Sequence, residues 1–460
     1  MLAQVLQETV RGRLRVVGLA FVLCYARPAM AQVVMPTAPS LTLRMLFDSV
    51  QANYPAIQAA QRRVHAAQGS LRTARAFGNP VLNLQVDQIS APGAQPLIGM
   101  PQQSTAMATF PLEDFFQRGP RVAMASAEVR VADAEAMATR QRLGLDASAA
   151  YYRTVIAQVE VTTARDLVSW LDTLVAYNRV RVREGATAEA DLLRSELERD
   201  RASAEQAMVT AELAHARAAL GAFVSDPRTA TTSPLAIVDA TPYPWPSNIV
   251  KPGSINSVFT ASAPPPRIPI DARPDVRADR ERVSAANAGI SAERTLVLRA
   301  LGATVGAMRS MGMTSVIAGI SMPLPLFDRN SGHVQRATAA RDAAVLDLST
   351  RELAAAAEVR GAYEAASVLT ERASALAGRD STNFLTRADE SRRIALGAYR
   401  EGAMPLFQVI DAARAWSDAR LTYFRTIIAQ HQSILNLIVA AGLDVFASPP
   451  TPVAPGSLSR

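Results

Sequence analysis

The sequence predicts a mainly α-helical protein with a small β part, assembled from two copies of one structural unit. The tetrapeptide Arg183-Glu184-Gly185-Ala186 recurs as Arg400-Glu401-Gly402-Ala403, 217 positions later. Long alanine-rich segments without proline carry apolar residues at seven-residue spacing, which predicts antiparallel coiled-coil helices. Four short segments, two in each half, fit strands, and the first of them alternates apolar and polar residues.

The duplication extends beyond the tetrapeptide. Pro55 has a counterpart in Pro274, 219 positions on. Three further residues recur 212 positions on, namely Pro111 as Pro323, Phe115 as Phe327 and Tyr151 as Tyr363. A period of this size is too long for a solenoid, whose repeats run to ~50 residues. We therefore expect two structural halves that stand side by side.

The first residues are expected to be an export signal. Three arginines precede an apolar run from Val16 to Tyr25, and Ala29-Met30-Ala31 follows. This order predicts a secretory signal peptide over residues 1–31, with a buried N-terminal helix as the alternative. The apolar run is too short for a membrane-spanning helix, which needs ~20 residues. No later segment has an uninterrupted apolar run of that length.

Cleavage after Ala31 would change the charge and the cysteine content. Residues 1–31 carry a net charge of +3, so the formal net charge would fall from +7 to +4, which gives no indication of nucleic-acid binding. Cleavage would also remove Cys24, the single cysteine, and with it any disulfide or thiolate metal site. Lipidation of Cys24 is the alternative, although Leu23 stands where a small residue is usual.

The chain divides into five segments. These are the signal peptide 1–31, a first repeat 32–223 with a helix, a strand pair and a long helical hairpin, a proline-rich connector 224–271, a second repeat 272–443, and a C-terminal tail 444–460. The connector holds ten of the 28 prolines, which is typical of an extended linker.

Each repeat is expected to contain the same elements in the same order. In the first we expect a helix Leu41–Ala76, a strand over residues 82–87, a loop Ser90–Gln103, a strand ending at Pro111, a rod Arg121–Arg181 with heptad positions Val122, Val129, Ala136, Leu143 and Ala150, and a return helix Ala188–Phe223. In the second we expect a helix Val276–Leu298, strands Thr304–Met308 and Ser315–Ser321, a rod Val334–Tyr399 and a return helix ending near Leu443.

The four strands pose a physical problem if they lie in a membrane. A sheet in lipid must close, because each unpaired backbone group costs several kcal/mol, and the smallest membrane barrels have about eight strands. One chain supplies four, so a membrane role requires an oligomer; two copies would give eight strands and three would give twelve. The alternative is a pair of ordinary hairpins packed on a soluble helical body.

The arrangement of two strand–strand–helix–helix halves in an exported chain resembles the TolC-type outer-membrane efflux family, from about Leu41 to Leu443. The segment 320–332, Ile-Ser-Met-Pro-Leu-Pro-Leu-Phe-Asp-Arg-Asn-Ser-Gly, is similar to the second strand-to-helix junction of the CzcC-like heavy-metal efflux branch. The first junction, Phe110 to Arg121, resembles the same branch. It differs at residues 115–118, where Phe-Phe-Gln-Arg replaces the usual Gly-Gly-Lys-Arg.

The resemblance implies a homotrimer whose twelve strands form a β-barrel in outer-membrane lipid and whose helices form a periplasmic tunnel. Asn83, Gln85 and Asp87 would face the watery lumen. The implied partners are a periplasmic adaptor (membrane fusion) protein and an inner-membrane pump of the resistance-nodulation-division (RND) type. Divalent heavy-metal cations are the expected cargo. Drug efflux and type I protein secretion are the alternatives, and a periplasmic helical-hairpin adaptor is a further one.

The two hairpin tips are the first candidate site. A turn between antiparallel helices needs a glycine, but it does not need the Arg-Glu pair that accompanies both glycines. The resemblance implies that the adaptor docks on these six residues, Arg183, Glu184, Gly185, Arg400, Glu401 and Gly402. Ordinary turn chemistry is the alternative.

A periplasmic gate is the second candidate site. The resemblance places an acidic ring just past the second turn, where Asp411 matches an acidic position and Gln408 replaces one. The equivalent residues of the first half are Asp191 and Arg194. Three copies of Asp411 on one axis would repel each other and attract cations. The alternative is a solvated carboxylate on a helix surface.

No pattern in the sequence indicates an enzyme, a cofactor or a resident metal. The four histidines, His65, His215, His333 and His431, stand far apart and do not have the spacing of metal ligands. The sequence also lacks a nucleophile elbow and a phosphate-binding loop.

Overall fold

A computed structural model describes residues 41–87, 103–224, 246, 269–310, 313–322, 324–378 and 384–447. These residues form eight α-helices, four strands and two short 3-10 segments, so the predicted fold class is confirmed. The predicted signal peptide, most of the connector and of the loop before the second strand, Pro323 and the chain from residue 448 lie outside the described residues. The segment boundaries given above stay predictions.

The first half follows the expected order. Its elements are α1 Leu43–Asn53, α2 Pro55–Arg75, β1 Val81–Asp87, β2 Gln103–Pro111, α3 Asp114–Arg183 and α4 Glu189–Gly221. The expectation of one helix over 41–76 is wrong, because Pro55 interrupts it. Proline disfavours helical geometry in the preceding residue, and Tyr54 is extended at φ −70° and ψ 123°. The 70 residues of α3 correspond to a rod of about 105 Å.

The second half has the same order with one difference. Its elements are α5 Pro274–Thr295, β3 Gly302–Ser310, β4 Met313–Ser321, α6 Ser331–Ala377, α7 Phe384–Arg400 and α8 Leu406–Ala440. The expected single rod over 334–399 is wrong, because α6 stops at Gly378, whose φ is +58°. The repeat spacing rises from 212 at Tyr363 to 217 at the tip, and this increase of five equals the number of residues between Gly378 and Phe384.

The four strands form one antiparallel sheet in the order β1-β2-β3-β4. The two halves therefore meet at the pairing of β2 with β3, where Thr109 lies opposite Thr304. Their hydroxyl oxygens are 3.1 Å apart. β1 and β4 are the outer strands of the sheet, and each has one edge with no neighbouring strand among the described residues.

Helix α3 is the central helix of the body, and α2, α4, α5 and α8 all pack against it. The predicted heptad positions on α3 are half-buried, whereas the fully buried stripe is displaced to Ala127, Ala134, Ser148 and Val155. Neighbouring helices lie on several sides of α3, and small side chains allow the closest approach. A large core then joins α1, the middle of α3 and the end of α8, with Phe47, Tyr152 and Leu435 inside it.

A buried arginine fastens the start of α5 to the end of α8. Arg273 is 7% exposed. Its guanidinium donates to both carboxylate oxygens of Asp275 at 3.0 and 2.7 Å, to Glu358 at 2.7 Å and to the carbonyl of Ala440 at 3.3 Å. Gly442 lies against this junction at φ +75°, and a Cβ there would come within 3.0 Å of the Arg273 nitrogen.

This network lowers the pKa of Asp275. Burial alone would raise it, but the hydrogen bonds and the charge of Arg273 outweigh burial. A carboxyl group whose pKa is lower in the folded state stabilises the fold above its ordinary pKa. We expect that contribution to persist at neutral pH and to be lost as the pH falls through the lowered value.

Replacing Arg273 by Met should lower the free energy of unfolding by about 1–3 kcal/mol, because it removes two hydrogen bonds from the half-buried Asp275 carboxylate. Denaturant unfolding of the purified protein in detergent measures this change. Arg393→Met is the matched control, since Arg393 is 78% exposed and its ion pair is with Glu390 on its own helix. The control should cost about 0.5 kcal/mol or less, and equal losses in the two variants would contradict the role given to Arg273.

Candidate functional site

The two hairpin tips have the same backbone structure. Gly185 and Gly402 adopt φ +69° and +76°. In each tip the glycine N–H and the next N–H close back on the helix, with the four bonds Gly185–Val182 3.0 Å, Ala186–Arg181 2.8 Å, Gly402–Tyr399 3.0 Å and Ala403–Ala398 2.8 Å. This is the Schellman arrangement that ends helices at glycine. The glycines of the predicted docking site are thus explained by the turn itself.

The charged residues of the tips have no such structural explanation. Arg183, Glu184, Arg400 and Glu401 are all exposed. The Arg183 side chain donates a hydrogen bond to the carbonyl of Arg179 on its own helix, at 3.4 Å. Within the described residues, no ion pair involves the other three side chains. The tips therefore present two similar charged surfaces to solvent.

A buried polar contact holds the two tips together. Tyr399 is 4% exposed and donates its hydroxyl to the Asn178 side-chain oxygen at 2.7 Å. The Arg181 guanidinium lies 5.7 and 5.8 Å from the ring centres of Tyr177 and Tyr399. We call these four residues the tip clasp. Burial raises the pKa of Tyr399, which keeps its hydroxyl protonated and able to donate.

Sequence reasoning missed the tip clasp, although one signal was present. Leu171, Leu174 and Val175 form an apolar stripe on α3, and Asn178 continues it with helical spacing. A single amide on a buried stripe indicates a specific polar partner, because an unpaired polar group is costly to bury. The partner, Tyr399, is 221 positions away in the chain and could not be identified by spacing.

The residues predicted to form a gate lie at the start of the two return helices. Asp191 is half-buried in the first turn of α4 and accepts a hydrogen bond from the Thr187 hydroxyl at 3.0 Å. Arg194, Gln408 and Asp411 are exposed. Among the described residues, no hydrogen bond or ion pair joins Asp411 to Asp191. A ring of these side chains would therefore have to be formed by several copies of the chain.

Ion pairs join the second hairpin to the first along their length. Three arginines of α8 reach carboxylates of α3 and α4, and these pairs are Arg414 with Glu198, Arg420 with Asp166 and Arg425 with Glu160. We call them the charged seam. Next to it, Arg392 of α7 lies 3.9 Å above the ring of Trp416. The seam aligns the two hairpins from the tips toward the core.

One face of the sheet is apolar and open to solvent. Leu82, Leu84, Val316 and Ile320 are 65%, 72%, 81% and 76% exposed. The strand register places small or apolar residues between them on the same face, namely Ala106, Ala108, Val305, Ala307 and Ala318. A continuous exposed apolar surface of this kind indicates contact with a membrane or with another protein.

The other face carries most of the polar side chains of the sheet. Asn83 and Gln85 are exposed on it, and the register adds Thr105, Thr109, Thr304 and Ser315. Asp87 pairs with Gln103 at the end of β1. Met107, Met308 and Ile317 interrupt the polar pattern. The alternation expected for β1 is confirmed, and its orientation toward a lumen stays a prediction.

Within the described part of the chain, none of the helices is both long enough and apolar enough to span a bilayer. The same residues contain no group of three His, Cys, Asp or Glu side chains suited to a metal ion. Of the four histidines, His431 packs in the core, 3.3 Å from the Tyr152 hydroxyl.

One family model and several known proteins match this chain. The family model for outer membrane efflux proteins matches residues 46–224 and 270–443. The cobalt-zinc-cadmium resistance protein CzcC of Cupriavidus metallidurans is 23% identical over 425 residues, covering 91% of this chain and 92% of CzcC.

Solved structures show the same fold. CusC, studied for its folding and transmembrane channel formation, is 20% identical with a TM-score of 0.66, covering 87% of this chain and 92% of CusC. VceC of Vibrio cholerae, an outer membrane protein, is 18% identical with a TM-score of 0.67, covering 88% of this chain and 96% of VceC.

Replacing Tyr399 by Phe should open the two tips, because it leaves the buried Asn178 side chain without its hydrogen bond, at a cost of roughly 1–3 kcal/mol. We expect faster amide hydrogen exchange in residues 177–186 and 396–404, measured by mass spectrometry, and unchanged exchange in α1. Tyr177→Phe is the control, since the Tyr177 hydroxyl donates to the Arg400 carbonyl over a longer distance, 3.5 Å, at an exposed position. Exchange that is equally fast in both variants would argue against the Tyr399–Asn178 bond.

Proposed function

Because the chain belongs to the outer membrane efflux protein family, we propose that three copies of it form the exit duct of a three-part pump for divalent heavy-metal cations. The coarser function follows from the family itself: the chain is an efflux channel protein of the outer membrane, and its relatives are channels rather than enzymes. The number of copies, the pump and the cargo are the proposal.

The exposed apolar face of the sheet is the observation that carries it. Leu84 and Val316 would each be buried in lipid rather than left in water. An open sheet edge in lipid leaves backbone groups unpaired at several kcal/mol each. The sheet has four strands, and membrane barrels need about eight or more. Three copies supply twelve strands and join β4 of one copy to β1 of the next.

The helical surfaces suit contact between copies. Exposed apolar residues lie on α4 and on α6, and they are Leu193, Leu197, Met208, Leu346 and Leu353. The six hairpins of a trimer would enclose a periplasmic tunnel, with Asn83, Gln85 and Asp87 facing the lumen of the barrel. Asp411 and Gln408, with Asp191 and Arg194 of the first half, would line its closed end.

The tips are the proposed docking surface for a periplasmic adaptor that links the duct to an inner-membrane RND pump. The exposed Arg-Glu pairs at 183–184 and 400–401 support this role, because none of their four side chains forms an ion pair with another described residue. The tip clasp would keep both surfaces in a fixed relation. Energy would come from the pump, and the chain itself would be a passive conduit. The predicted signal peptide would direct the export of the chain to the outer membrane.

The cargo is proposed from CzcC, whose name assigns it to cobalt, zinc and cadmium resistance. The polar face of the sheet and the acidic Asp411 suit hydrated cations, which would pass without a fixed ligand set. The two equivalent halves argue against an adaptor, which would have one hairpin between β-rich domains.

Deleting the gene should lower the tolerance of the host cells to zinc, cobalt and cadmium, because the pump loses its exit. Growth at increasing metal concentrations, with nickel included, measures this effect, and complementation with the intact gene should restore it. Unchanged tolerance to all four metals would contradict metal export, and it would leave drug efflux or protein secretion through the same duct.

Replacing Leu84 by Lys should prevent stable insertion, because a lysine facing lipid near the bilayer midplane costs about 2–4 kcal/mol in each copy. Gln85→Lys is the matched control on the adjacent residue, which points to the other face. Outer-membrane fractionation and a heat-resistant trimer band on gels measure insertion and assembly. A normal trimer of the Leu84 variant, or loss of both variants, would contradict the assignment of the two faces.

A further inference from the structure

A cavity of about 310 Å³ opens between helices α2, α3, α5 and α6. Each of these helices contributes one arginine to its lining, and the four are Arg63, Arg142, Arg282 and Arg351. We call it the arginine cavity. Concave sites with a few converging polar groups are where proteins bind small solutes. The charges that remain unpaired in the cavity therefore indicate which solute it suits.

The three carboxylates that line the cavity have arginine partners. Asp279 is 6% exposed and pairs with both Arg282 and Arg351, the latter at 3.2 Å. Glu135 pairs with the other terminal nitrogen of Arg282. Asp275 belongs to the buried arginine network at the start of α5. The negative charges of the cavity are thus neutralised within the chain, and a cation could bind them only by displacing an arginine.

Arg63 and Arg142 keep their full charge. Both side chains are exposed, and within the described residues neither forms a hydrogen bond or an ion pair. Helix α2 adds to this excess, because its sequence holds four arginines and no aspartate or glutamate. Asp347 of α6 is an exposed carboxylate, but it lines a neighbouring cavity. The arginine cavity therefore carries two uncompensated positive charges.

Two free guanidinium groups beside one cavity suit an oxyanion. A guanidinium group is planar and can donate two parallel N–H bonds to the oxygens of a phosphate or a carboxylate. Arg63 and Arg142 lie on neighbouring helices and together match the charge of a dianion. A divalent cation at the same place would be repelled by both side chains.

The arginine cavity lies on one particular face of the helical wall. On α3, Gly144 is in close contact with Val445 and Phe446 of the C-terminal segment. At 3.6 residues per turn, Glu135 and Arg142 lie roughly 160–180° around the helix from Gly144. The cavity therefore opens on the side of α3 that faces away from the C-terminal segment.

Helix α5 shows the same division. Arg280 binds Asp271, at the end of the connector, at 2.7 Å. Arg282, which lines the cavity, lies roughly 160° around the helix from Arg280. The wall thus has one face covered by additional chain and one bare face with the cavity. In a tunnel built from such walls, the bare face lines the lumen, because additional chain on the inside would obstruct it.

We propose that the arginine cavity binds a multivalent oxyanion of the phosphate class, held by Arg63 and Arg142, on the lumenal wall of the tunnel. Binding requires only the described fold, whereas the lumenal position rests on the proposed function. In a duct for cations, the free arginines of three copies would form an electrostatic barrier at this height. A bound dianion in each copy cancels that barrier.

The first experiment measures the binding of inorganic phosphate to the purified full-length protein in detergent by isothermal titration calorimetry. The buffer contains no other multivalent anion, and the pH is one at which phosphate is a dianion. Arg63→Gln and Arg142→Gln are the site variants. Arg62→Gln is the matched control, because Arg62 is exposed on the same helix and is not among the residues that line the cavity. All three positions are exposed, so the fold should be retained.

We expect one phosphate per chain and an affinity that falls about tenfold in each site variant, since each loses charged hydrogen bonds to the anion. The affinity of Arg62→Gln should change about twofold or less, because a charge outside the cavity is screened by solvent and salt. Absence of saturable phosphate binding to the parent protein would overturn the proposal. An equal loss of affinity in all three variants would overturn it as well, because it would indicate attraction to α2 in general.

The second experiment tests the lumenal position by recording ion currents through the protein in planar bilayers. Phosphate should increase the preference of the parent channel for cations, measured as a shift of the reversal potential in a salt gradient. Arg142→Gln should show a smaller shift, and Arg62→Gln the full one. A channel that binds phosphate without this shift would contradict the lumenal position. A protein that binds phosphate but forms no channel would contradict the proposed function and leave the oxyanion site standing.

Discussion

Backbone pairing in lipid is the constraint on which the rest of the structure depends. The four-stranded sheet exposes its apolar face, and lipid provides no hydrogen bonds for the free edges of β1 and β4. Both strand pairs must therefore lie in one continuous sheet, which the pairing of β2 with β3 achieves although about 200 residues separate them in the chain. The strand pairs of the two halves must then lie at the same depth in the membrane, and the helical body has to hold them in that position.

The helical body meets this requirement with small side chains and paired charges. Alanine and serine on the buried stripe of α3 allow close packing of its neighbours, while the charged seam aligns α8 with the first hairpin. Glu198 and Glu160 are only 18% and 17% exposed, so their pairs are better shielded than ordinary surface ion pairs. Exposed pairs contribute about 0–1 kcal/mol each to stability. The main effect of the charged seam is therefore to fix the alignment of the two hairpins.

The sequence predicted those features that repeat or alternate locally. The tandem tetrapeptide predicted the positions of both tips, because a helix-ending turn is formed by consecutive residues around a glycine, here Gly185 and Gly402. The alternation of residues 82–87 located β1 and its two faces. Interruptions of helices were not predicted. The helix expected over residues 41–76 is broken at Pro55, and the rod expected over 334–399 is broken after Gly378. The rise in repeat spacing from 212 to 217 was a signal of the second break.

Contacts between distant segments could not be predicted in the same way. The bond from Tyr399 to Asn178 and the seam between α8 and α3 depend on how the hairpins lie side by side, which no local pattern specifies. Phe115 and Phe116 were visible as a departure from the related junction, but their exposure and the position of Phe115 beside Phe77 could be known only from the fold. The contacts of the proposed gate residues cannot be predicted from local patterns either, since their neighbours would belong to other copies of the chain.

The interruption after Gly378 makes the two hairpins mechanically unequal, although their ends are nearly identical. One outgoing helix is a continuous shaft of 70 residues, and the other consists of separate segments of 47 and 17 residues. In a ring of three chains, continuous and segmented shafts would alternate. A binding protein that contacts only the Arg-Glu-Gly-Ala tips would find six similar binding positions. A protein that also contacts the outgoing helices would find two different kinds of binding position, with three of each.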